Sequence, residues 1–459
     1  MAGWQQERTH YIAATPDAVF SVVRDLSQTH EWMRSFHGFK LHEPTAAVGT
    51  KVDFLPPGDK LSLLHQKTAP AGSVTELDER ARRIAFTQQQ PGGQLTVTWA
   101  VDPALEGSTL RVTVAIDGPL RLAFAKTVAE PLLEDFAIAA ARLFRMLPET
   151  KSPADPIKCV IAGGHSYQGR NLAADLICRG HDVFVLTDSS EEYFPAPQVL
   201  WDGHSLGAWT DVFRSTAKPV SVINLASSEN GRELSDIETS NTPGLHSTRV
   251  LAEAVSALDR PVRTWVQGSD TAVYGNTGER ILTENSPLQS AEADRLEAAS
   301  EGVRAEHFYV LRSAEIIGPD APLFRRFRLM AETGLSGPVG SGRQWVSWIH
   351  IADWLKLVRT LLGLTGNVLP SGVINASAPN PVRNADLMRI LRKEFGPHIL
   401  GDRGLPIPKT FMKLGAKLGR NRDAQMLTGN HVTSEVLRSA YYQFDHPEFS
   451  DAVESLADR

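Results

Sequence analysis

The stretch Ile157-Lys-Cys-Val-Ile-Ala-Gly-Gly-His-Ser-Tyr-Gln-Gly169 is a short apolar run that breaks into glycines and then into a helical pattern. Ile157 to Ala162 reads as a buried parallel strand, because the run is short, partly β-branched and stopped by Gly163-Gly164. Glycine there lets backbone N–H groups approach an anion closely, and the helix that follows, Gln168 to Arg179, aims its positive end at the same point. A second apolar strand, Asp182 to Leu186, closes in Asp188, 19 residues beyond Gly169. An acidic side chain at that distance reaches the hydroxyls of an adenine ribose. The unit predicts a dinucleotide site built from Gly163, Gly164, His165, Ser166, Tyr167, Gln168 and Gly169, with Asp188 at the ribose. A carboxylate there favours NAD, since a 2′-phosphate would be repelled, while Ser189 and Ser190 beside it leave NADP open. One position departs from the Gly-x-x-Gly-x-x-Gly pattern: Ser166 stands in the middle, and its Cβ is expected to narrow the approach to phosphate.

The remaining composition sets the context. At 459 residues and 42% hydrophobic, the chain has material for two or three domains with real cores. A formal charge of −6, well mixed along the sequence, offers no basic stripe, so no nucleic-acid partner is expected. Cys159 and Cys178 read as core residues and are too few for a disulfide framework or a metal site, and no metal is expected. The polar N-terminus and the lack of any long apolar run predict no integral membrane segment and a cytoplasmic setting.

Pro148-Glu-Thr-Lys-Ser-Pro-Ala-Asp-Pro156 concentrates proline and polar residues just before the dinucleotide unit, as an exposed linker does. The predicted organisation is a first domain over 1–150, a linker at 151–156, a nucleotide-binding domain over 157–385 and a small C-terminal domain over 386–459. Within the first, strand-like segments recur at Glu7 to Ala13, Lys51 to Leu55, Gly72 to Leu77, Arg83 to Gln88, Leu95 to Val101 and Thr109 to Ile116. After Gly118-Pro119 the period changes, placing Leu132, Phe136, Ala140, Leu143 and Leu147 on one helical face. With a short helix at Pro16 to Val23, Ile12-Ala-Ala-Thr-Pro-Asp-Ala-Val-Phe20 and Trp32 resemble the opening of the α+β helix-grip fold of START and polyketide-cyclase domains. The resemblance implies a cavity for a lipid or aromatic ligand, for which Trp32, Phe36, Phe54, Phe86, Trp99 and Phe136 are candidates; a dry aromatic core is the alternative.

From residue 157 strands and helices alternate, which predicts an α/β, Rossmann-like, doubly wound parallel sheet. Asn224, Leu225 and Ala226, at the end of the third strand, would then lie on the adenosine side. Gly340-Ser-Gly-Arg-Gln-Trp-Val-Ser-Trp-Ile-His-Ile-Ala-Asp353, Val373-Ile-Asn-Ala-Ser-Ala-Pro379 and Pro381-Val-Arg-Asn384 closely resemble an atypical subfamily of extended short-chain dehydrogenases/reductases. Its members are called NAD-dependent epimerase/dehydratase-like, or SulA-type cell division inhibitor. The tail, from Leu405-Pro-Ile-Pro408 to Tyr442-Gln-Phe-Asp-His-Pro447, resembles that subfamily's small C-terminal α/β extension.

Ordinary extended dehydrogenases use a Tyr-x-x-x-Lys pair and a hydroxyl residue for proton transfer. Here Ser290-Ala-Glu-Ala-Asp-Arg-Leu-Glu297 stands where that pair should be, with neither tyrosine nor lysine. Candidate catalytic groups are Ser269, Asp270 and Tyr274, with Glu292 as a further acid. Arg343, Trp345, Ser347 and His350 are the substrate-side candidates. Two functions follow as expectations: an NAD(P)-binding oxidoreductase or epimerase acting on a small molecule, or a non-catalytic nucleotide- and lipid-sensing or scaffold protein on a degenerate dehydrogenase fold.

Overall fold

The computed structural model describes residues 4–36, 39–54, 71–90, 93–118, 129–214, 217–226, 243–289, 291–334, 337–338, 340–396 and 429–457. The N-terminal half is an antiparallel sheet wrapped around a C-terminal helix. Its strands are β1 (Trp4–Ile12), β2 (Phe39–Leu41), β3 (Lys51–Phe54), β4 (Ala71–Asp78), β5 (Arg83–Gln90), β6 (Gly93–Ala104) and β7 (Gly107–Asp117). Their order is β1-β7-β6-β5-β4-β3-β2, so the first strand closes against the last along its whole length. Alternation writes the sheet: Leu110, Val112, Val114 and Ile116 of β7 point to the core and the residues between them point out.

Helix α1 (Pro16–Val23) starts at Thr15, whose hydroxyl accepts the Ala18 N–H, and has proline in its first turn. The four-residue α2 (Thr29–Trp32) follows. The long helix predicted from the Leu132 to Leu147 period is broken. A short turn of helix at Glu130–Leu133 ends before Asp135, which sits at φ +53°, and α3 runs from Phe136 to Met146. A left-handed aspartate leaves no glycine in the sequence to betray the break. Helix α3 also buries more than the one predicted stripe, because Ile138, Ala139, Ala141 and Phe144 are covered as well as Phe136, Ala140 and Leu143. The second half of the chain supplies part of that cover.

That half is a seven-stranded, wholly parallel sheet of β8 (Lys158–Ala162), β9 (Asp182–Thr187), β10 (Gln198–Leu200), β11 (Val220–Asn224), β12 (Val262–Asp270), β13 (Ala305–Ser313) and β14 (Gly372–Ala376). Their order is β10-β9-β8-β11-β12-β13-β14, the doubly wound arrangement in which the chain reverses direction beside β8. Every residue of β8 is buried, as its apolar run required. Helices α4 (Tyr167–Cys178), α5 (Pro243–Ser256), α6 (Ala291–Ala298) and α7 (Ile351–Leu361) cover the faces. Cys159 and Cys178 are free, buried thiols, and burial pushes both pKa values up.

The two halves share one apolar core. It runs from Val19, Trp99 and Leu143 to Ile161, Leu172 and Trp354, with α3 packed against α4. Main-chain bonds fix the join: the Ala13 N–H donates to Cys178 O (2.7 Å), and the Lys151 N–H donates to Ala13 O (2.8 Å). Residues 429–457 are tied to β14 and α7 by polar contacts. Asn375 Nδ2 donates to Thr433 O, and Asp353 accepts the N–H groups of Asp445 (2.6 Å) and His446 (2.9 Å). No described helix is long and apolar enough to cross a membrane.

Candidate functional site

The turn after β8 is shaped by close backbone approach. Gly163 takes φ +77°, and a Cβ on it would lie 2.8 Å from both Ala226 N and Leu225 C at the end of β11. A Cβ on Gly164 would come within 2.4 Å of Val185 Cγ1, and one on Gly169 within 2.5 Å of Gly163 O. Ser166 is more than a steric burden. As the N-cap of α4, its hydroxyl donates to Gly163 O (2.8 Å) and accepts the Gly169 N–H (3.1 Å). The hydroxyl thus folds back into the turn.

His165 is held by Gln198 Oε1 (3.0 Å) and Thr187 Oγ1 (3.2 Å), and partial burial lowers its pKa. Tyr167 packs under Gly318, where an added Cβ would meet its hydroxyl at 2.2 Å, and burial raises its phenol pKa. Gln168 is buried in the first turn of α4. Asn224 also faces inward: its Nδ2 donates to Thr248 Oγ1 (2.9 Å) and Gln267 Oε1 (3.1 Å), and its Oδ1 accepts the Ala226 N–H. Leu225 is buried, and its N–H donates to Ala162 O (2.9 Å). The backbone of 224–226 therefore forms one wall of the glycine turn.

Asp188 is exposed at the end of β9 and lines a cavity of about 640 Å³ with Leu200, Trp201, Asp202, Ser205 and Trp209. Asp202 is fixed by its own turn, accepting the N–H groups of His204 (2.8 Å) and Ser205 (3.1 Å), and these bonds hold its carboxyl below the usual range. Sequence reading missed Trp201 and Asp202. They follow β10, a strand of three residues with no readable period.

At the far end of the sheet, Ser269 joins a buried polar chain. Its hydroxyl donates to Glu297 Oε1 (2.8 Å), and the Glu297 carboxylate is gripped by Arg312 through Nε (2.8 Å) and Nη2 (2.6 Å). Arg312 Nη1 donates to the Tyr274 hydroxyl (2.7 Å), which donates in turn to Asn375 Oδ1 (2.8 Å). Tyr274 is fully buried, and burial raises its pKa despite the neighbouring guanidinium. Asp270 stands outside this chain: it is exposed and caps the turn Thr271–Tyr274 by accepting the Ala272 N–H (2.7 Å). The Glu292 and Phe54 side chains lie outside the described residues.

Of the four substrate-side candidates, the Arg343 carbonyl and the Trp345 ring meet at Arg383, while Ser347 and His350 turn elsewhere. Arg343 is exposed, and Trp345 donates to Glu279 Oε2 (3.1 Å) with its ring between Arg383 (3.8 Å) and His431 (4.2 Å). Ser347 turns inward, donating to Asn430 O (2.8 Å) and accepting the Val432 N–H (2.8 Å). His350 caps α7: Nδ1 accepts the Ala352 N–H (3.2 Å), while the buried Nε2 has no partner. Burial lowers its pKa to about 3. The unfolded chain, with histidine near the ordinary value of 6.5, therefore binds a proton first as pH falls. Stability is full above that value and declines towards pH 3, and His181, lowered to about 4 by burial, acts in the same sense. His350→Asn keeps a capping oxygen and is expected to remove about 2 kcal/mol of the loss between pH 6.5 and 5. Urea unfolding at several pH values measures it.

The strand order defines a doubly wound α/β class, with the glycine turn and the open cavity at Asp188 at the ends of its strands. Residues 159–376 match the NAD dependent epimerase/dehydratase family, and residues 4–145 match the family of polyketide cyclase / dehydrase and lipid transport. The chain is thus similar first to a polyketide cyclase-like domain and then to an NAD-dependent epimerase/dehydratase domain. Among relatives, it is 27% identical to the epimerase family protein ML0860 of Mycobacterium leprae over 64% of this chain and 93% of that one. It is 25% identical to human epimerase family protein SDR39U1 over 65% of this chain and 99% of that one. The fold is similar to that of a nucleoside-diphosphate sugar epimerase from Corynebacterium glutamicum (TM-score 0.57, 19% identity, 98% of this chain and 90% of that one). It is also similar to human SDR39U1 isoform 2 solved with NADPH (TM-score 0.53, 24% identity, 66% and 99%).

Proposed function

We propose that the chain binds a nicotinamide adenine dinucleotide at the C-terminal edge of the parallel sheet and acts as an oxidoreductase or epimerase on a small molecule. The observation that carries this is the glycine turn at the start of α4, with Asp188 at the end of the neighbouring strand β9 opening onto a cavity lined by Trp201, Asp202 and Trp209. The turn follows β8, where doubly wound sheets take their ligands, and the cavity opens beyond β9 and β10. In this reading the first turn of α4 faces the diphosphate, Asp188 takes the ribose hydroxyls, and Trp201 and Trp209 wall the adenosine. The bound nicotinamide would supply hydride chemistry. Ser269, held by Glu297 and Arg312, is the polar group set at the end of β12 for a substrate hydroxyl or carbonyl. The polyketide cyclase-like match suggests an apolar ligand for the N-terminal domain, although Phe36, Phe39, Phe86 and Trp99 are buried and packed ring against ring, as in the dry aromatic core.

Titration with NADH and NADPH, followed by nicotinamide fluorescence, tests the reading. NADH is expected to bind more tightly, and no response to either would overturn it. Asp188→Ser removes the charge at the ribose and is expected to shift the NADPH-to-NADH affinity ratio about tenfold towards NADPH. An unchanged ratio would remove Asp188 from the ribose.

A second reading, a nucleotide and lipid sensor or scaffold without turnover, draws on Tyr274. Its hydroxyl is fully buried and held between Arg312 and Asn375, and no Tyr-x-x-x-Lys pair replaces it. Dinucleotide binding without oxidation or reduction of any member of an aldehyde, ketone and sugar-nucleotide panel would favour this reading.

A further inference from the structure

The loop that carries Asp188 is clamped from the other half of the molecule. Arg142 of α3 directs Nε to Glu31 O (2.9 Å), with Nη2 on the same oxygen, and lays its guanidinium over the Tyr193 ring, 4.8 Å from the centroid. Arg34 lies 5.6 Å from that ring. One residue on, Phe194 is buried and carries His165 of the glycine turn at 4.9 Å. A second clamp runs through α4. Arg170 donates to Glu191 Oε2 (2.6 Å) in the loop and to Asp135 Oδ2 (2.9 Å) at the start of α3. Asp135 holds the uncommon left-handed conformation, φ +53°, while making this contact. Gln198 closes the base of the loop by accepting the Glu191 N–H (2.8 Å) and donating to Glu191 O (2.8 Å). Residues 189–194 thus gain their fixed course from Arg142, Asp135 and Arg34 as much as from their own sheet.

We infer that the N-terminal domain is a working part of the nucleotide site, with Arg142 and Asp135 as positioning residues that act through Tyr193 and Arg170 on the loop bearing Asp188. This rests on the dinucleotide reading above. Arg142 grips the carbonyl of Glu31, next to Trp32, whose ring touches Trp99 in the aromatic interior of the sheet (centroids 5.8 Å apart). The same arginine therefore joins the wall of the N-terminal interior to the adenosine end of the second domain. A residue that only stabilised the fold would weaken NADH binding independently of Asp188; one that sets the loop must act through it.

The test uses the full chain and NADH as the probe. Arg142→Ala and Tyr193→Leu, which approach the contact from opposite sides, are each expected to weaken NADH binding about fivefold or more. Arg142→Lys, which keeps a cation over the ring, is expected to recover most of it. In the background of Asp188→Ala neither substitution should weaken binding further. Circular dichroism checks that each variant is folded, and Tyr193→Leu leaves the N-terminal core untouched should Arg142→Ala fail to fold. Unchanged affinity in Arg142→Ala and Tyr193→Leu, or losses that add in full to that of Asp188→Ala, would overturn the inference while the dinucleotide reading stands. No NADH binding by the unsubstituted protein would remove both.

Discussion

Arg312→Met is expected to destabilise the protein by about 3–5 kcal/mol, read as a lower urea midpoint with an unchanged slope. Arg312 and Glu297 have side chains only 6% and 11% exposed and meet through two hydrogen bonds. Removing the guanidinium strands the carboxylate in a place where water cannot solvate it, and it frees the Tyr274 hydroxyl from one of its partners. The double variant Arg312→Met/Glu297→Leu removes both charges, so it is expected to recover much of the loss. A double variant as unstable as the single one would show that the pair matters through packing. Ser269 loses its acceptor in that double variant, so activity and stability should part company there.

Gly169→Ala is expected to cost about 2 kcal/mol of stability and to weaken NADH binding about tenfold or more, although alanine is the better helix former by about 1 kcal/mol. The added Cβ would lie 2.5 Å from Gly163 O and 2.6 Å from Gly164 Cα, both main-chain atoms that cannot swing aside. Relief requires the first turn of α4 to lift from the strand, which breaks the cap from Ser166 and misdirects the N–H groups meant for the diphosphate. Gly366→Ala, with nothing within 4 Å of the new atom, is the control and should be close to neutral. Comparing the two by thermal unfolding and NADH titration separates steric crowding from a general effect of losing glycine.

The β8 to β9 unit was legible because its signals are local and strong: a strand buried on both faces, glycines where the backbone must pass closely, and an acid at the end of the next strand. The substrate end was not. Glu297 and Arg312 are 15 residues apart on a helix and a strand, and only the packing of α6 on the sheet makes them a pair. Arg343, Trp345, Ser347 and His350 look like a cluster in the sequence, yet the segment alternates direction, leaving Arg343 and Trp345 at Arg383 and turning Ser347 and His350 elsewhere. Strands β2 and β10 escaped notice because three residues are too few for a period. Asp135 broke the helix through a backbone state that its identity permits without announcing.

The continuous core beneath α3 and α4 bears on how such a chain can change over generations. Fission of the gene near residues 151–156 would yield two products, each with an oily flank that its partner used to conceal, α3 on one side and α4 on the other. Intermediates on that route would be sticky and poorly folded. A free-standing second domain is therefore expected to carry polar residues where α4 is apolar here, and novelty in the fused chain should enter through the loops around the edge of each sheet.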